Sequence, residues 1–200
     1  MGVVSLRTYR DPSYMPLLVL VDTQIEYVAE NRALCLGDVE TAISNCRRIL
    51  EYAREAGMPV AFLRWQQRGK FFAKTSETSG WIEGLTPTGA DMVFDRDLPS
   101  AYANREFASM MDAGGGENAV LAGFTGTLAC LSTIIEAYHR QHNLTFVSDA
   151  SASHPLRSLE KGRSHEAAVD IARLYGGVTT ADDWILQQEN RMTRAWGALT

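Results

Sequence analysis

The patterned part of the chain opens on five consecutive apolar residues, Leu17 to Val21, whose branched side chains and lack of alternation predict a strand buried on both faces. Asp38 then offers a cap for a segment in which Val39, Ile43, Cys46, Ile49, Leu50 and Ala53 recur at helical spacing until Gly57 and Pro59 end it. Val60 to Leu63 predicts a second strand. A long polar stretch with interspersed aromatics follows, residues 64–90, and is expected to be an excursion or lid. Met92 to Phe94, Ala119 to Ala122, Leu144 to Val147 and Val178 to Thr179 supply further short strands. Helical patterns run from about Asn104 to Asp112, Thr127 to Arg140 and Ser164 to Tyr175, and Thr180 with Asp183 makes the Ser/Thr-x-x-acid start of a last helix. Strand and helix alternate without a repeat or low-complexity linker. The prediction is an α/β fold in three layers, a mostly parallel sheet of about six strands with helices on both faces.

Composition narrows the classes. Two hundred residues, 46% hydrophobic and 22% charged, suit one globular domain spanning 1–200 and argue against disorder or coiled coil. Asp22 closes the longest apolar run well short of the ~18 to 20 residues of a membrane span, so no membrane partner is expected. Arg7, Arg10 and Asp11 precede that run and no small-residue cleavage site follows it closely, which points to a cytoplasmic protein. With 19 Lys plus Arg against 24 Asp plus Glu, the net charge of -5 disfavours a nucleic-acid partner. Cys35, Cys46 and Cys130 have no Cys-x-x-Cys spacing, so neither a disulfide framework nor a zinc ribbon is indicated.

In open parallel sheets ligands bind beyond the carboxyl ends of the strands. Asp22, Asp95 with Arg96, the segment Gly123 to Cys130, and Asp149 are all expected there. Cys130 falls in the first turn of the helix begun near Thr127, where unpaired N–H groups and the helix dipole favour a thiolate and can hold an oxyanion. The alternative is a small buried hydrophobe beside Leu131, Ile134 and Ile135. Asp22 at the end of an apolar run is paired, capping a turn, or catalytic. Gln24 projects to the same side if the strand continues, and Arg96 is either a partner for Asp22 or substrate, or a solvated cation.

Four stretches together resemble the isochorismatase-like cysteine hydrolases: Leu-Val-Leu-Val-Asp22-Thr-Gln24, Arg96-Asp-Leu-Pro-Ser100-Ala-Tyr102, Val-Leu-Ala-Gly123-Phe-Thr-Gly-Thr-Leu-Ala-Cys130-Leu-Ser-Thr, and Val147-Ser-Asp149-Ala. The resemblance runs from about Met15 to Thr180 in the family's order. It implies a Rossmann-like fold and a triad hydrolysing a C–N bond of a small amide or ureido compound through a thioester. Cys130 becomes the nucleophile and Asp22 its base. The triad cation falls on Arg96, where the family usually has Lys; Arg keeps the charge but does not give up a proton. Gly123 lies seven residues before Cys130 where the family commonly has six, one residue in excess. Counting back from Cys130 puts the family's non-proline cis peptide at Thr125-Gly126, with the Gly126 and Cys130 N–H groups as oxyanion donors.

Expected substrate-binding residues are Gln24, Trp65, Tyr102 and Thr125. Within the excursion Trp65, Phe71, Phe72 and Trp81 can close over a ligand whose carboxylate Arg64, Arg68, Lys70 or Lys74 binds. His139, His142, His154 and His165 lack the Asp-x-His spacing of metal-dependent relatives, so neither metal nor other cofactor is expected; His139 and His142 fit a solvated helix end, and His154 is a loop residue that can face the crevice. The expected partners are a small-molecule substrate and a second or further copies of the chain, a dimer or tetramer, with the tail Trp184 to Trp196 offering apolar residues. Two rival functions stand beside the amidase: an isochorismate-type vinyl-ether hydrolase that does not need the thiol, and a non-catalytic superfamily member used for binding or assembly.

Overall fold

The computed structural model describes residues 15–159 and 162–197. Arg7, Arg10 and Asp11, and the side chain of Trp196, lie outside the described residues. Six strands form one parallel sheet among these residues, in the order β3-β2-β1-β4-β5-β6. They are β1 (Leu17–Val21), β2 (Val60–Trp65), β3 (Met92–Arg96), β4 (Ala119–Phe124), β5 (Leu144–Ala152) and β6 (Gly177–Thr179). The helices are α1 (Glu40–Glu55), α2 (Arg105–Asp112), α3 (Leu131–His139), α4 (Arg163–Ala172) and α5 (Ala181–Gly197).

The continuous apolar run of β1 is read by both faces of the sheet. Leu18 and Leu20 pack with Cys46, Ile49 and Leu50 of α1 and with Trp184 of α5. Leu17, Val19 and Val21 pack with Phe107 and Met111 of α2, Ile134 of α3 and Ala172 of α4. This is the expected three-layer α/β arrangement. Because the chain turns from β1 to β2 on one side and reaches β4 on the other, the topological switch point, where open α/β sheets form their ligand crevice, falls at the carboxyl ends of β1 and β4.

Several boundaries differ from the sequence reading for local reasons. Asp38 takes a left-handed φ of 56°, and α1 starts at Glu40 with Val39 as its N-cap. Strand β3 runs on through Asp95 and Arg96 because it stays in register with Arg64 and Trp65 of β2. Strand β5 runs to Ala152, so Asp149 lies inside it, and its Oδ1 accepts the Ala181 N–H at the start of α5 rather than facing the crevice. The Thr180–Asp183 capping box forms as read, Thr180 Oγ1 accepting the Asp183 N–H at 3.2 Å.

Residues 66–91 make the excursion. It is fastened to the segment after β1: Ile25 N–H donates to the Gly80 carbonyl, Ile82 N–H to Thr23, and Thr78 Oγ1 to the buried Glu26 carboxylate.

One glycine is indispensable to the crevice. Gly123 has φ +112°, and a Cβ there would sit 2.0 Å from the Val21 carbonyl oxygen, so β4 approaches β1 only without a side chain. Gly123→Ala is therefore expected to cost on the order of 3 kcal/mol or more, measured as a lower midpoint of urea denaturation; an unchanged midpoint would mean the two strands can part without loss.

Candidate active site

The residues expected to form the triad follow or end strands β1 and β3, or lie in the turn that follows β4. Asp22, the residue after β1, adopts a left-handed φ of 50°, a conformation that costs a non-glycine residue about 1 kcal/mol and that Asp tolerates better than most. Its N–H donates to the Leu63 carbonyl at 2.8 Å, which holds the turn against β2. Arg96 ends β3. Its Nη2 donates to Asp22 Oδ2 at 2.6 Å, with both side chains wholly shielded from solvent. Nη1 donates to the Leu98 carbonyl, and the guanidinium lies 4.8 Å from the centre of the Trp65 ring. A flat, delocalised cation suits both the carboxylate and the indole face, a combination an ammonium cannot match.

Two atoms of this pair remain without a hydrogen-bond partner: Asp22 Oδ1 and Arg96 Nε. Burial raises the Asp22 carboxyl from the ordinary 3.8 to about 6, while the adjacent guanidinium and, more weakly, the Trp65 N–H dipole pull it back down.

Cys130 reaches the same place from β4. Residues Gly126–Cys130 form a single π-helical turn that leads into α3. It closes when the Cys130 N–H donates to the Thr125 carbonyl, five residues back, at 3.1 Å. The wide turn carries the chain from the end of β4 into α3. It also engages the Cys130 N–H inside the turn, which corrects that group's expected role as an oxyanion donor and leaves Gly126 N–H from the expected pair. The non-proline cis peptide is present one bond earlier than counted, at Phe124-Thr125, just before the N-cap of the π turn.

The thiol is fully buried, 3.5 Å from the Gly123 carbonyl and 3.9 Å from Ser151 Oγ. Asp22 and Arg96 are both within electrostatic reach of it, the carboxylate raising and the guanidinium lowering its pKa. Burial dominates and pushes the thiol up to about 12, opposite to the depression expected from a helix N-terminus, because the sulfur is shielded from water.

The turn is pinned from outside. Thr127 N–H donates to Ser153 Oγ at 3.0 Å, Ser153 Oγ lies 3.0 Å from His165 Nδ1, and His165 Nε2 lies 2.8 Å from the Ser148 carbonyl. With the proton on Nε2, all three contacts are satisfied at once. His165 had no signal beyond its residue type, since the spacing Ser153 to His165 carries meaning only after α4 is folded back.

The expected substrate residues divide. Trp65 stands at the site as the platform under Arg96, and Thr125 is buried at its base. Gln24 is nearby but occupied: its amide donates to the Trp65 and Ser79 carbonyls, and its Oε1 accepts the Trp65 N–H. It clamps the excursion to β1 rather than facing a ligand. Tyr102 is not brought to the site. Its hydroxyl is 2.8 Å from His142 Nδ1, and His142 precedes β5, at the amino ends of the strands. That contact also removes His142 from the solvent it was expected to occupy. Arg64 is held by both oxygens of Asp95, so it does not await a carboxylate. Phe72 is buried and Phe71 half-buried, while Arg68, Lys70 and Lys74 are exposed.

Two residues that the sequence left unmarked or open line the same wall. The Tyr27 ring is 6.1 Å from Phe124 and 5.3 Å from Phe72, and Asp22, Arg96 and Cys130 all act on its hydroxyl. His154 stands 6.2 Å from Tyr27, centroid to centroid. Among the described residues no cluster of three or more His, Cys, Asp or Glu is placed to share a metal ion.

Comparison with known proteins gives the same picture. The family model for the isochorismatase domain matches residues 16–183. Ureidoacrylate amidohydrolase RutB of Variovorax paradoxus is 22% identical, over 84% of this chain and 79% of its own length. The secreted isochorismatase effector Isc1 of Verticillium dahliae is 21% identical, over 84% of this chain and 88% of its own. A cysteine hydrolase from Pseudomonas syringae superposes with a TM-score of 0.80 at 22% identity, over 91% of this chain and 97% of that one. N-carbamoylsarcosine amidase from Thermoplasma acidophilum superposes with a TM-score of 0.70 at 20% identity, over 84% of this chain and 98% of that one. With the domain match covering the whole sheet and every triad position, the chain belongs to the isochorismatase-like hydrolase family.

Proposed function

We propose that the protein is a cysteine-dependent hydrolase that cleaves a C–N bond of a small amide or ureido compound through a thioester. The observation that carries this reading is the buried Asp22–Arg96 ion pair, with one carboxylate oxygen left unpartnered, whose charges both act on the buried Cys130 thiol. Unsatisfied buried polar atoms cost about 1 to 3 kcal/mol each, a cost that a purely structural pair would not need to retain.

With the thiol near 12 and the carboxyl near 6, the resting site holds a thiol, a carboxylate and a guanidinium. Asp22 therefore acts as a general base during attack rather than storing a preformed thiolate. Sulfur bonds to the carbonyl carbon as its proton passes to Asp22 Oδ1. Collapse of the tetrahedral intermediate breaks the C–N bond, and the nitrogen leaves with the proton Asp22 had taken. Water then gives a proton to Asp22 and attacks the thioester carbon. The C–S bond breaks and the proton returns to sulfur.

Arg96 stays charged throughout. When Asp22 is protonated, the guanidinium faces the developing anion, so the net charge of the site does not change along the reaction. This assigns the whole proton traffic to Asp22 and asks of the cation only what Arg can do. Gly126 N–H is the backbone donor proposed for the oxyanion. The retained thiol beside Asp22 favours this chemistry over vinyl-ether hydrolysis.

Cys130→Ala and Asp22→Asn are each expected to lower kcat/KM by at least about a thousandfold in an ammonia-release assay over a panel of small amides; full activity in Cys130→Ala would exclude a thioester. The rate should fall as the pH drops through about 6, where Asp22 takes up a proton. Arg96→Met should move that acid limb to higher pH, because it removes the cation that holds the carboxyl down, and a limb that stays in place would contradict the pairing. In the absence of substrate, iodoacetamide at pH 8 should modify Cys130 far more slowly than the half-buried Cys35, as read by peptide mass spectrometry.

A further inference from the structure

The segment that leaves β5 runs along the nucleophile turn residue by residue. Ser151 Oγ is 3.9 Å from Cys130 Sγ, Ala152 is in register with Phe124, and Ser153 Oγ accepts the Thr127 N–H. His154 comes next, so its position is set by three consecutive anchors to the loop that carries the thiol. Its Nε2 is shielded from solvent and has no hydrogen-bond partner. Its ring faces Tyr27 at 6.2 Å with 48° between the planes, and Tyr27 is itself within electrostatic reach of Asp22, Arg96 and Cys130.

The buried and half-buried cations around this wall are already paired. Arg32 holds the buried Glu26 at 2.8 Å, Arg64 holds Asp95 at 2.8 Å, and Arg96 holds Asp22 at 2.6 Å. Lys70 is exposed, with its ammonium over the Phe71 ring at 5.8 Å. Among these groups the half-buried and buried cations each have a carboxylate, and no further one is left for a ligand's.

We propose that His154 is a specificity-determining residue whose Nε2 hydrogen-bonds the non-reacting end of a small, planar, uncharged amide or ureido substrate held against Tyr27. A buried polar nitrogen without a partner is costly until a ligand supplies one, and an aromatic wall binds flat neutral molecules well. Burial lowers the basicity of this imidazole and keeps it neutral, so it recognises a dipole and not an anion. The proposal rests on the amide-hydrolase reading for the kind of substrate and adds which end His154 contacts and which charge the site refuses.

The test measures binding to the full chain by isothermal titration calorimetry, which needs no turnover, with benzamide, 3-hydroxybenzamide and 3-carboxybenzamide as probes. The hydroxyl-bearing amide is expected to bind about tenfold tighter than benzamide, and the anionic one weakest. His154→Phe keeps the ring and removes the nitrogen: it should abolish the preference for the hydroxyl while leaving benzamide affinity unchanged. His154→Gln should restore part of it. Equal weakening of benzamide and 3-hydroxybenzamide in both variants would mark His154 as structural and overturn the proposal. So would tighter binding of the carboxylate, lack of preference in the unaltered protein, or failure of every neutral amide to bind. Failure of the hydrolase reading has a different signature, the neutral amides bound with the expected preference but no ammonia released.

Discussion

A carboxylate and a guanidinium, both shut away from water, set the terms for the rest of this molecule. Leaving either one alone would cost about 3 to 5 kcal/mol, so the strands that carry Asp22 and Arg96 must end where the two side chains meet. Strand β2 lies between their parent strands β1 and β3, and its last residue, Trp65, is in register with Arg96 and lies beneath its guanidinium. Arg96 thus has three constraints at once: a carboxylate, a backbone carbonyl and an aromatic face. Its planarity satisfies all three, which an ammonium group would not.

Two local features bring the thiol toward that pair. The lack of a side chain at Gly123 lets β4 press against β1, and residues Gly126–Cys130 wind into a single π-helical turn. Ser153 and His165 then hold the outside of the turn, and Gln24 ties the excursion to the end of β1. Asp22 Oδ1 and Arg96 Nε at the centre of the site, and His154 Nε2 on its wall, keep no partner of their own. Buried polar atoms of this kind are costly until a ligand or a transition state supplies the missing partners.

The fold was legible because each strand is a short apolar run and each helix an amphipathic one, and the periods of the two patterns differ. Strand ends were less so. The continuation of β3 through Asp95 and Arg96, and of β5 to Ala152, depends on pairing with a neighbouring strand, which no local pattern encodes. The meeting of Asp22 and Arg96 was legible from motifs in order, whereas the state of the Cys130 thiol was not. A helix start argues for a lowered pKa, and only the packed structure reveals that burial outweighs it. Gln24 and Tyr102 failed as ligand contacts for a related reason: both sit in recognisable motifs, but their hydrogen bonds are consumed by Ser79 and His142, far away in sequence. Tyr27 became visible only once the chain had placed its ring beside that of His154, a loop residue whose role the sequence had left open.

Arg96 opposes a burial that otherwise pushes Asp22 toward neutrality. Carbon-13 NMR of aspartate-labelled protein measures this directly, with the Asp22 carboxyl resonance assigned by its loss in Asp22→Asn. A titration midpoint near pH 6 that moves upward in Arg96→Met is the result expected from the buried pair. A midpoint near the ordinary carboxylate value, unmoved by loss of the guanidinium, would contradict it.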